Sequence, residues 1–260
     1  MVLVDSLPIW AVYVGVVVLA LLSSEVGFRF GLWLQDRSDE PGESKMTGAV
    51  VGGMLGLMAF LLAFTIGIVI DQQGNRKPMV VQEANANGTA WLRAGFLGES
   101  DLSVVRPLLQ EYTEIRIEAA NDMSLYDAIV TRSEEIHDEL WAIMEENVRR
   151  GNESDIMGLN IESVNDVIDT HSERLFVANL RLPRILGILL FLATILSFLL
   201  VGAASSADRK RDTAAMILFA LVFAAVLIVI IDLDRPQEGL LTVPQTAMTD
   251  LLRQITPPGQ

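Results

Sequence analysis

Three long apolar runs without a single charged side chain constrain this chain more than any other feature of its sequence. They occupy residues 49–70, 185–204 and 214–231. A helix needs about 20 apolar residues, each rising 1.5 Å, to cross the roughly 30 Å of hydrocarbon in a bilayer. A helix that is apolar on all sides is either the core helix of a large protein or a membrane span, and uncharged runs of this length favour the span. The runs therefore predict three membrane-spanning helices.

A fourth apolar stretch, residues 9–34, is predicted to be the first span although it contains two charged side chains. Glu25 precedes Arg29 by four residues, the orientation that favours an ion pair on one face of a helix. Two interpretations of this pair remain open. It neutralises charge locally near the headgroups, or it forms a charged step on an ion path, because ionisable groups inside a membrane are costly and often functional.

The four spans are predicted to form two hairpins with short polar loops at residues 35–46 and 205–212. A hydrophilic insert at 71–183 separates the hairpins, and a tail at 232–260 follows the last span. The insert and both termini then share one side of the membrane. Five lysine and arginine residues lie near span ends on the loop side and six on the other side. The positive-inside rule therefore selects no orientation.

The insert has a helical pattern along its whole length. Apolar residues recur every three or four positions, the period of a helix with one buried face, and no run alternates as a half-buried strand would. Glycines and short polar stretches predict joints near residues 95–98, 121–124 and 151–152, with the last helix beginning near Ser154. The predicted fold class is all-α: a four-span membrane protein with a domain of about four helices inserted between spans two and three.

The acidic balance of the chain limits its partners. The formal net charge is −14, and residues 71–183 alone carry 21 acidic and 10 basic side chains. Nucleic acid is not expected as a partner, because phosphate binding needs a basic face. The carboxylates within residues 134–146 are either solvated helix surface or, in a symmetric oligomer, the lining of a vestibule that concentrates cations.

Side chains that usually carry catalysis or bind metals are scarce. The chain has no cysteine and two histidines, His137 and His171, which are far apart in the sequence and belong to no metal-binding motif. His137 stands beside Asp138 and is predicted to be a surface or interface residue. No phosphate-binding loop with its lysine and no nucleophile elbow occurs. We therefore predict no metal, no cofactor and no enzymatic activity.

Span two carries two distinct faces at helical spacing. Small residues, which let membrane helices approach closely, form one face, and its simplest interpretation is tight packing within one chain. Large apolar residues form the other, which is either a lipid or core contact or, around a symmetry axis, an apolar ring that gates by dewetting. The small face is Gly48, Gly52, Gly56, Ala59, Ala63 and Gly67, and the large face is Leu57, Leu61, Phe64 and Ile68.

Several stretches resemble the bacterial family of bestrophin-like membrane proteins. Together they cover roughly residues 10–252, and the most specific one directly follows the last span. The stretches are Gly56-Leu57, Leu62-Ala63-Phe64-Thr65, Asp71, Arg76-Lys77, Glu83-Ala84-Asn85 and Gly88-Thr89; then 165–169, Arg174 and Arg181-Leu182-Pro183; then Asp232-Leu233-Asp234-Arg235-Pro236 and Gly239-Leu240.

The resemblance implies a fold and a function. True bestrophins, to which this family is distantly similar, are pentameric ion channels with four spans, a helical cytosolic domain between spans two and three, and an apolar neck on span two. By position, the neck of this chain would involve Leu57, Leu61, Phe64 and Ile68. The resemblance places the insert and termini in the cytoplasm, with the spans in a bacterial inner membrane. It implies the bilayer, further copies of the chain and small ions as partners.

Two functions are weighed for this chain. One is an oligomeric channel, for which the acidic insert favours cations; the other is a non-conducting membrane sensor or scaffold whose helical domain binds a protein or a small ligand. Asp232, Asp234 and Arg235, where the last span ends, either anchor that span by pairing with the insert, with Arg174 or Arg181 as partners, or couple the domain to the spans. The predicted junction residues between the domain and the membrane are Asp71, Arg76, Glu83, Asn85, Asp232, Asp234 and Arg235.

Overall fold

The computed structural model describes residues 7–37, 44–206, 213–235 and 241–256. Within these residues all regular structure is helical and no strand occurs, which confirms the predicted fold class for this part of the chain. A short 3-10 helix, Met123–Leu125, precedes the fourth α-helix. The α-helices in chain order are α1 (Ile9–Gln35), α2 (Ser44–Ala94), α3 (Glu99–Asn121), α4 (Tyr126–Arg149), α5 (Asp155–Asn179), α6 (Arg184–Ser205), α7 (Thr213–Asp234) and α8 (Thr246–Ile255).

Four helical stretches are long and apolar enough to cross a membrane, as the sequence predicts. They are Ile9–Gln35, Gly48–Ala94, Asp155–Ser205 and Thr213–Asp234. Within the third stretch, α6 supplies the apolar part. The two predicted hairpin loops lie partly outside the described residues, at 38–43 and 207–212, as do Pro236 and Gly239-Leu240 of the family-like stretches.

The chain divides into two compact units. The apolar unit consists of Met1–Asp71 and Arg181–Arg235, and the polar unit consists of Gln72–Leu180 and Pro236–Gln260. The C-terminal segment therefore belongs with the insert. Helix α2 contributes residues to both units because it continues without a break from Ser44 to Ala94, through Pro78.

The apolar unit is built around a close parallel contact between α1 and α6. Gly27 lies against Leu199 of α6, and Gly31 lies against Ala203 one turn further along. Gln35 then donates a hydrogen bond to the Ser206 hydroxyl at 3.2 Å. Glycine at these positions lets the two backbones approach closely. Helix α7 completes the core with Phe219 and Phe223, which pack around Phe198 of α6.

The polar unit has two apolar cores. The larger one joins the end of α2 to α3, α4 and α5, with Leu109, Ile136, Leu140 and Val164 among its buried side chains. The smaller one packs α8 against α2. Its buried side chains are Val80 and Ala84 of α2 together with Val243, Met248, Leu251 and Ile255 near the C-terminus.

The predicted joints between the helices of the polar unit are confirmed. Helix α2 ends at Ala94, directly before Gly95, and α3 ends at Asn121. The turn after α4 contains Gly151 at φ 85°, a left-handed conformation that glycine adopts without steric cost. Ser154 then caps α5, since its hydroxyl accepts a hydrogen bond from the Met157 amide at 3.2 Å.

Candidate functional site

Helix α2 presents two different faces within the apolar unit. One face packs into the core through Met58, Leu62 and Val69, with Thr65 between them. The Thr65 hydroxyl is satisfied locally, because it donates to the Leu61 carbonyl at 2.7 Å. The inward face of α2 is therefore neither of the two faces that the sequence singled out.

The small-residue face of α2 is not covered by any other described residue. All six residues are exposed, and a Cβ atom added at any of its four glycines would meet no atom of the described residues within 4 Å. Tight packing of this face within one chain, the simplest interpretation of the sequence, is therefore wrong. The close backbone contact in this unit uses Gly27 and Gly202 instead. The residues concerned on α2 are Gly48, Gly52, Gly56, Ala59, Ala63 and Gly67.

The four predicted neck residues divide into two pairs. Leu57 and Phe64 are more than half exposed, whereas Leu61 and Ile68 are half-buried and pack partly against the core of the apolar unit. Phe60 joins the exposed pair, and its ring stacks on Phe64 with centroids 6.4 Å apart. Sequence analysis missed Phe60, although its spacing of four residues from Phe64 was the available signal.

The Glu25–Arg29 ion pair forms as predicted. The Arg29 Nε atom donates to Glu25 Oε1 at 2.7 Å, and the Arg29 side chain is mostly exposed. Glu25 additionally lines a cavity of about 770 Å³ at the ends of α6 and α7 that face the hairpin loops. The lining is chiefly apolar, with Ser24, Ser205 and Thr213 as other polar members.

The junction residues of the apolar unit pair with the residues just before α6. Asp234 Oδ1 accepts a hydrogen bond from the Leu182 amide at 2.7 Å, and Arg181 donates to the Asp234 carbonyl at 2.7 Å. Arg235 donates a hydrogen bond to the Leu7 carbonyl at 3.0 Å. Asp232, which precedes this pair of residues in the sequence, is buried. Arg174 and Arg181 were the two predicted partners of the residues that end the last span. The contact with Arg181 is confirmed, whereas Arg174 binds Glu83 in the polar unit.

The junction residues of the polar unit have separate surroundings. Arg76 is buried and donates to Gln73 Oε1 at 3.0 Å and to the Leu180 carbonyl at 2.9 Å. Asp71, the last residue of the apolar unit on α2, and Asn85 are exposed. Asn87 is buried instead and donates to the Leu109 carbonyl at 3.0 Å, so it supports the packing of α2 on α3.

Glu83 is the centre of a buried polar cluster that connects three helices of the polar unit. Its carboxylate has no solvent exposure and accepts hydrogen bonds from Tyr112 at 2.6 Å and from Arg116 at 3.0 Å. Arg174 of α5 donates to the other carboxylate oxygen. Arg174 also donates to Gln245 Oε1 at 2.8 Å, which ties the cluster to the residue before α8.

The electrostatics of this cluster keep Glu83 ionised. Burial by itself raises the pKa of Glu83, but the positive charges of Arg116 and Arg174 and the Tyr112 hydrogen bond outweigh it, and the pKa lies below its usual value. Burial and the Glu83 charge together raise the pKa of Tyr112 well above its ordinary value. An ionised, fully bonded carboxylate is therefore part of the folded unit.

Both histidines of the chain lie in the same cluster. The rings of His137 on α4 and His171 on α5 have centroids 4.8 Å apart, and each also contacts the Tyr112 ring. The expectation that His137 is a surface or interface residue is wrong, because positions 136, 137, 140 and 144 all face the core. Burial lowers the pKa of His137 to about 4 and that of His171 to about 3.

Several of the acidic residues of α4 pair with arginines on or next to the same helix. Arg132 contacts Glu135 at 3.1 Å and Glu139 at 2.9 Å, and Arg150 contacts Glu146 at 2.8 Å. Surface pairs of this kind contribute little stability but reduce the local field. Among the described residues, no group of three or more His, Asp or Glu side chains is arranged to hold a metal ion.

Comparison with known proteins identifies the family of the chain. A family model described as a bestrophin-like domain matches residues 12–248, which is nearly the whole chain. No curated protein and no solved structure matches. The matched range includes all four apolar helices, the polar insert and the beginning of α8.

Proposed function

The chain belongs to the bestrophin-like family and is a multi-pass membrane protein, and from this premise we propose that copies of it assemble into a homo-oligomeric ion channel. The bestrophin resemblance favours a pentamer in the bacterial inner membrane. The observation that carries the proposal is the outward face of α2, where Leu57, Phe60 and Phe64 lie exposed beside a stripe of small residues.

The physical reasoning begins from the division of α2 into two faces. Because Met58, Leu62 and Val69 fix one face in the protomer core, the opposite face points away from it. Lipid is as apolar as leucine, so a stripe of small residues gains nothing from lipid contact, whereas it permits close approach of another helix. Around a symmetry axis, the adjacent large side chains would form an apolar constriction that gates by dewetting.

The permeant ion is proposed to be a cation. The acidic balance of the polar unit attracts cations to its surface, and this attraction raises their local concentration at a pore mouth. The pairing of Glu135, Glu139 and Glu146 with arginines restricts this effect to the remaining carboxylates, such as Glu134 and Asp138 on the exposed side of α4. The reversal potential of the current in a KCl gradient shows whether the permeant ion is a cation or an anion. A value close to the equilibrium potential of chloride would overturn the proposal of a cation.

Assembly and conduction are tested together on the purified chain. The mass of the detergent complex, corrected for bound detergent, is expected to be a multiple of 28.5 kDa, with five copies favoured. Proteoliposomes are expected to release K⁺ faster than empty liposomes. A monomer, or an oligomer that releases no ion under any condition, contradicts the channel.

Matched variants test the constriction itself. Phe64→Ala is compared with Phe30→Ala, since both side chains are about half exposed (53% and 52%) and both stack on a neighbouring aromatic ring. Leu57→Ala is compared with Leu196→Ala (54% and 53%). The α2 variants are expected to increase leak or alter gating, whereas the controls on α1 and α6 keep the wild-type current. Equal currents in the α2 variants and the control variants would show that α2 does not form the constriction.

The polar unit is proposed to lie in the cytoplasm. The chain has no cysteine, so one introduced thiol reports unambiguously. Arg37→Cys, on the hairpin-loop side, is expected to react with an impermeant maleimide in intact cells, and Glu134→Cys is expected to react only after lysis. The reverse pattern would invert the orientation.

One observation favours the alternative, a non-conducting scaffold. Leu92 and Phe96, at the end of α2 in the polar unit, expose about two-thirds of their surface, and exposed apolar groups on an aqueous surface often mark protein contacts. An oligomer without flux that binds a soluble protein through Phe96 would favour this function. We propose no catalytic role, since the chain contains none of the nucleophile or phosphate-binding motifs.

A further inference from the structure

The two histidines of the polar unit are buried together with atoms that lack partners. His137 and His171 are each more than nine-tenths buried, and their ring centroids are 4.8 Å apart at an interplanar angle of 81°. Among the residues that the structure describes, the Nε2 atom of each ring has no hydrogen-bond partner, nor does the Nη1 atom of the Arg116 guanidinium. Orphaned buried polar atoms are rare in folded proteins and ask for an explanation.

The hydrogen-bond network fixes the tautomer of His171. The Tyr112 hydroxyl has one hydrogen, and the shorter contact, 2.6 Å, directs it to the Glu83 carboxylate. The 3.1 Å contact between Tyr112 and His171 Nδ1 must therefore use the hydrogen of Nδ1. The neutral His171 ring then carries a free lone pair on Nε2, which is the atom that an additional proton would occupy.

The charges that face the pair oppose such a proton inside the closed structure. Arg116 of α3 and Arg174 of α5 supply two positive charges, and Glu83 of α2 supplies one negative charge. Asp138 is adjacent to His137 on α4 but exposed, and Tyr112 stays neutral. A proton on either ring would therefore enter a buried cluster that already has a net positive charge.

We propose that His137 and His171 form a buried proton-binding site that opens the polar unit in acid. A protonated ring is poorly tolerated beside Arg116 and Arg174, so protons bind when α4 and α5 separate from α2 and α3 and water reaches the rings. The opening also frees Arg174, which holds Glu83 and Gln245 together. Release of the segment that leads into α8 would follow.

The direction of the pH dependence follows from linkage. Both histidines have a lowered pKa in the closed form, about 4 and about 3, against 6.5 when exposed. The stability that depends on neutral rings is therefore complete above pH 6.5 and is lost as the pH falls toward 4. Glu83 also has a lowered pKa, so its contribution is lost only below its unfolded value of 4.5. A loss of stability between pH 6.5 and pH 4.5 is therefore due to the histidines.

Hydrogen–deuterium exchange of the full-length protein in detergent micelles tests the site segment by segment. Between pH 7.5 and 5.5, two rings with an open-state pKa of 6.5 each add roughly a tenfold increase to the opening equilibrium. Protection factors in α4 and α5, corrected for the intrinsic exchange rate, are therefore expected to fall by about 100-fold. A fall smaller than about threefold in the wild-type protein overturns the proposal without any variant.

Four variants separate the histidines from other acid-sensitive groups. His137→Phe keeps an aromatic ring and removes both ring nitrogens, including the Nε2 atom that lacks a partner among the described residues, and His171→Asn keeps a donor toward Tyr112. Each is expected to reduce the 100-fold fall to about tenfold, and the double variant to abolish it. Ile136→Val is the control: it loses a buried methyl beside His137, lowers protection equally at both pH values and keeps the 100-fold ratio. A double variant that retains the wild-type ratio overturns the proposal.

Discussion

The contact between α1 and α6 supports the sharpest quantitative prediction about this fold. A Cβ atom added at Gly27 would lie 2.9 Å from the Leu199 Cα atom and closer still to the Leu199 carbonyl oxygen. A Cβ atom added at Gly202 would lie 2.9 Å from the Ser24 Cα atom. Ordinary contacts of a Cβ atom begin near 3.4 Å. Since the obstructing atoms are backbone, no change of rotamer relieves either clash.

The carbonyl oxygens of Leu199 and Ser24 are the nearest atoms, so Gly27→Ala and Gly202→Ala must push the two helices apart by about an ångström or more. A gap of about 1 Å forfeits about half of the dispersion energy of each atom pair across the contact. Overpacking of this kind costs about 1–3 kcal/mol. For a chain of this length, that corresponds to a fall of about 2–12 °C in Tm. The double variant is expected to cost much less than the sum, because one separation of the helices relieves both clashes.

Thermal unfolding in detergent micelles measures the effect, and α1 itself supplies the control. Gly15 is exposed on the same helix, and a Cβ atom there would meet nothing within 4 Å. Gly15→Ala is therefore expected to be neutral or to stabilise by up to about 1 kcal/mol through helix propensity. Equal Tm values for Gly27→Ala and Gly15→Ala, or full additivity in the double variant, would refute the reasoning.

Three further variants test contacts in the two units. Glu83→Gln leaves Arg116 and Arg174 buried without their counter-charge and is expected to cost about 3–5 kcal/mol in guanidinium unfolding of the polar unit; a loss below 1 kcal/mol would show that water reaches the cluster. Asp234→Ala removes the acceptor of the buried Leu182 amide and is expected to lower the stability of the protein by about 1–3 kcal/mol, measured as a fall in Tm, whereas an unchanged Tm would mean that the amide finds another acceptor. Leu251→Ala removes a buried side chain that packs α8 on the polar unit, and it is expected to expose residues 241–256 to protease while the rest of the polar unit stays resistant. An unchanged cleavage rate would contradict the packing of α8 through Leu251.

The sequence was sufficient for the features that depend on local composition and spacing. Four apolar helices, the joints at Gly95, Asn121 and Gly151, and the Glu25–Arg29 pair all follow from neighbours within a few positions. Each of these features is decided by one or two turns of chain. The Arg181–Asp234 contact was also anticipated, as one of two possible pairings, because both residues stand at span ends.

The features that depend on which faces meet were not predictable. In a membrane span, polarity does not distinguish the face that packs on other helices from the face that meets lipid, because both are apolar. Sequence analysis therefore singled out the stripe on α2 for internal packing and did not single out Gly27 and Gly202, where the close contact occurs. His137 and His171 are 34 residues apart on different helices, and only the docking of α4 against α5 brings their rings together.

The two sets of glycines in the apolar unit lead to one conclusion about assembly. A glycine inside a helix costs about 1 kcal/mol relative to alanine. At Gly27 and Gly202 this cost is offset, because the missing Cβ atoms allow two backbones to touch. At Gly52, Gly56 and Gly67 no other described residue provides an offset, since the space beside each glycine is open in that part of the chain. A neighbouring helix outside the chain would provide it, and the homo-oligomer proposed above places one at this face.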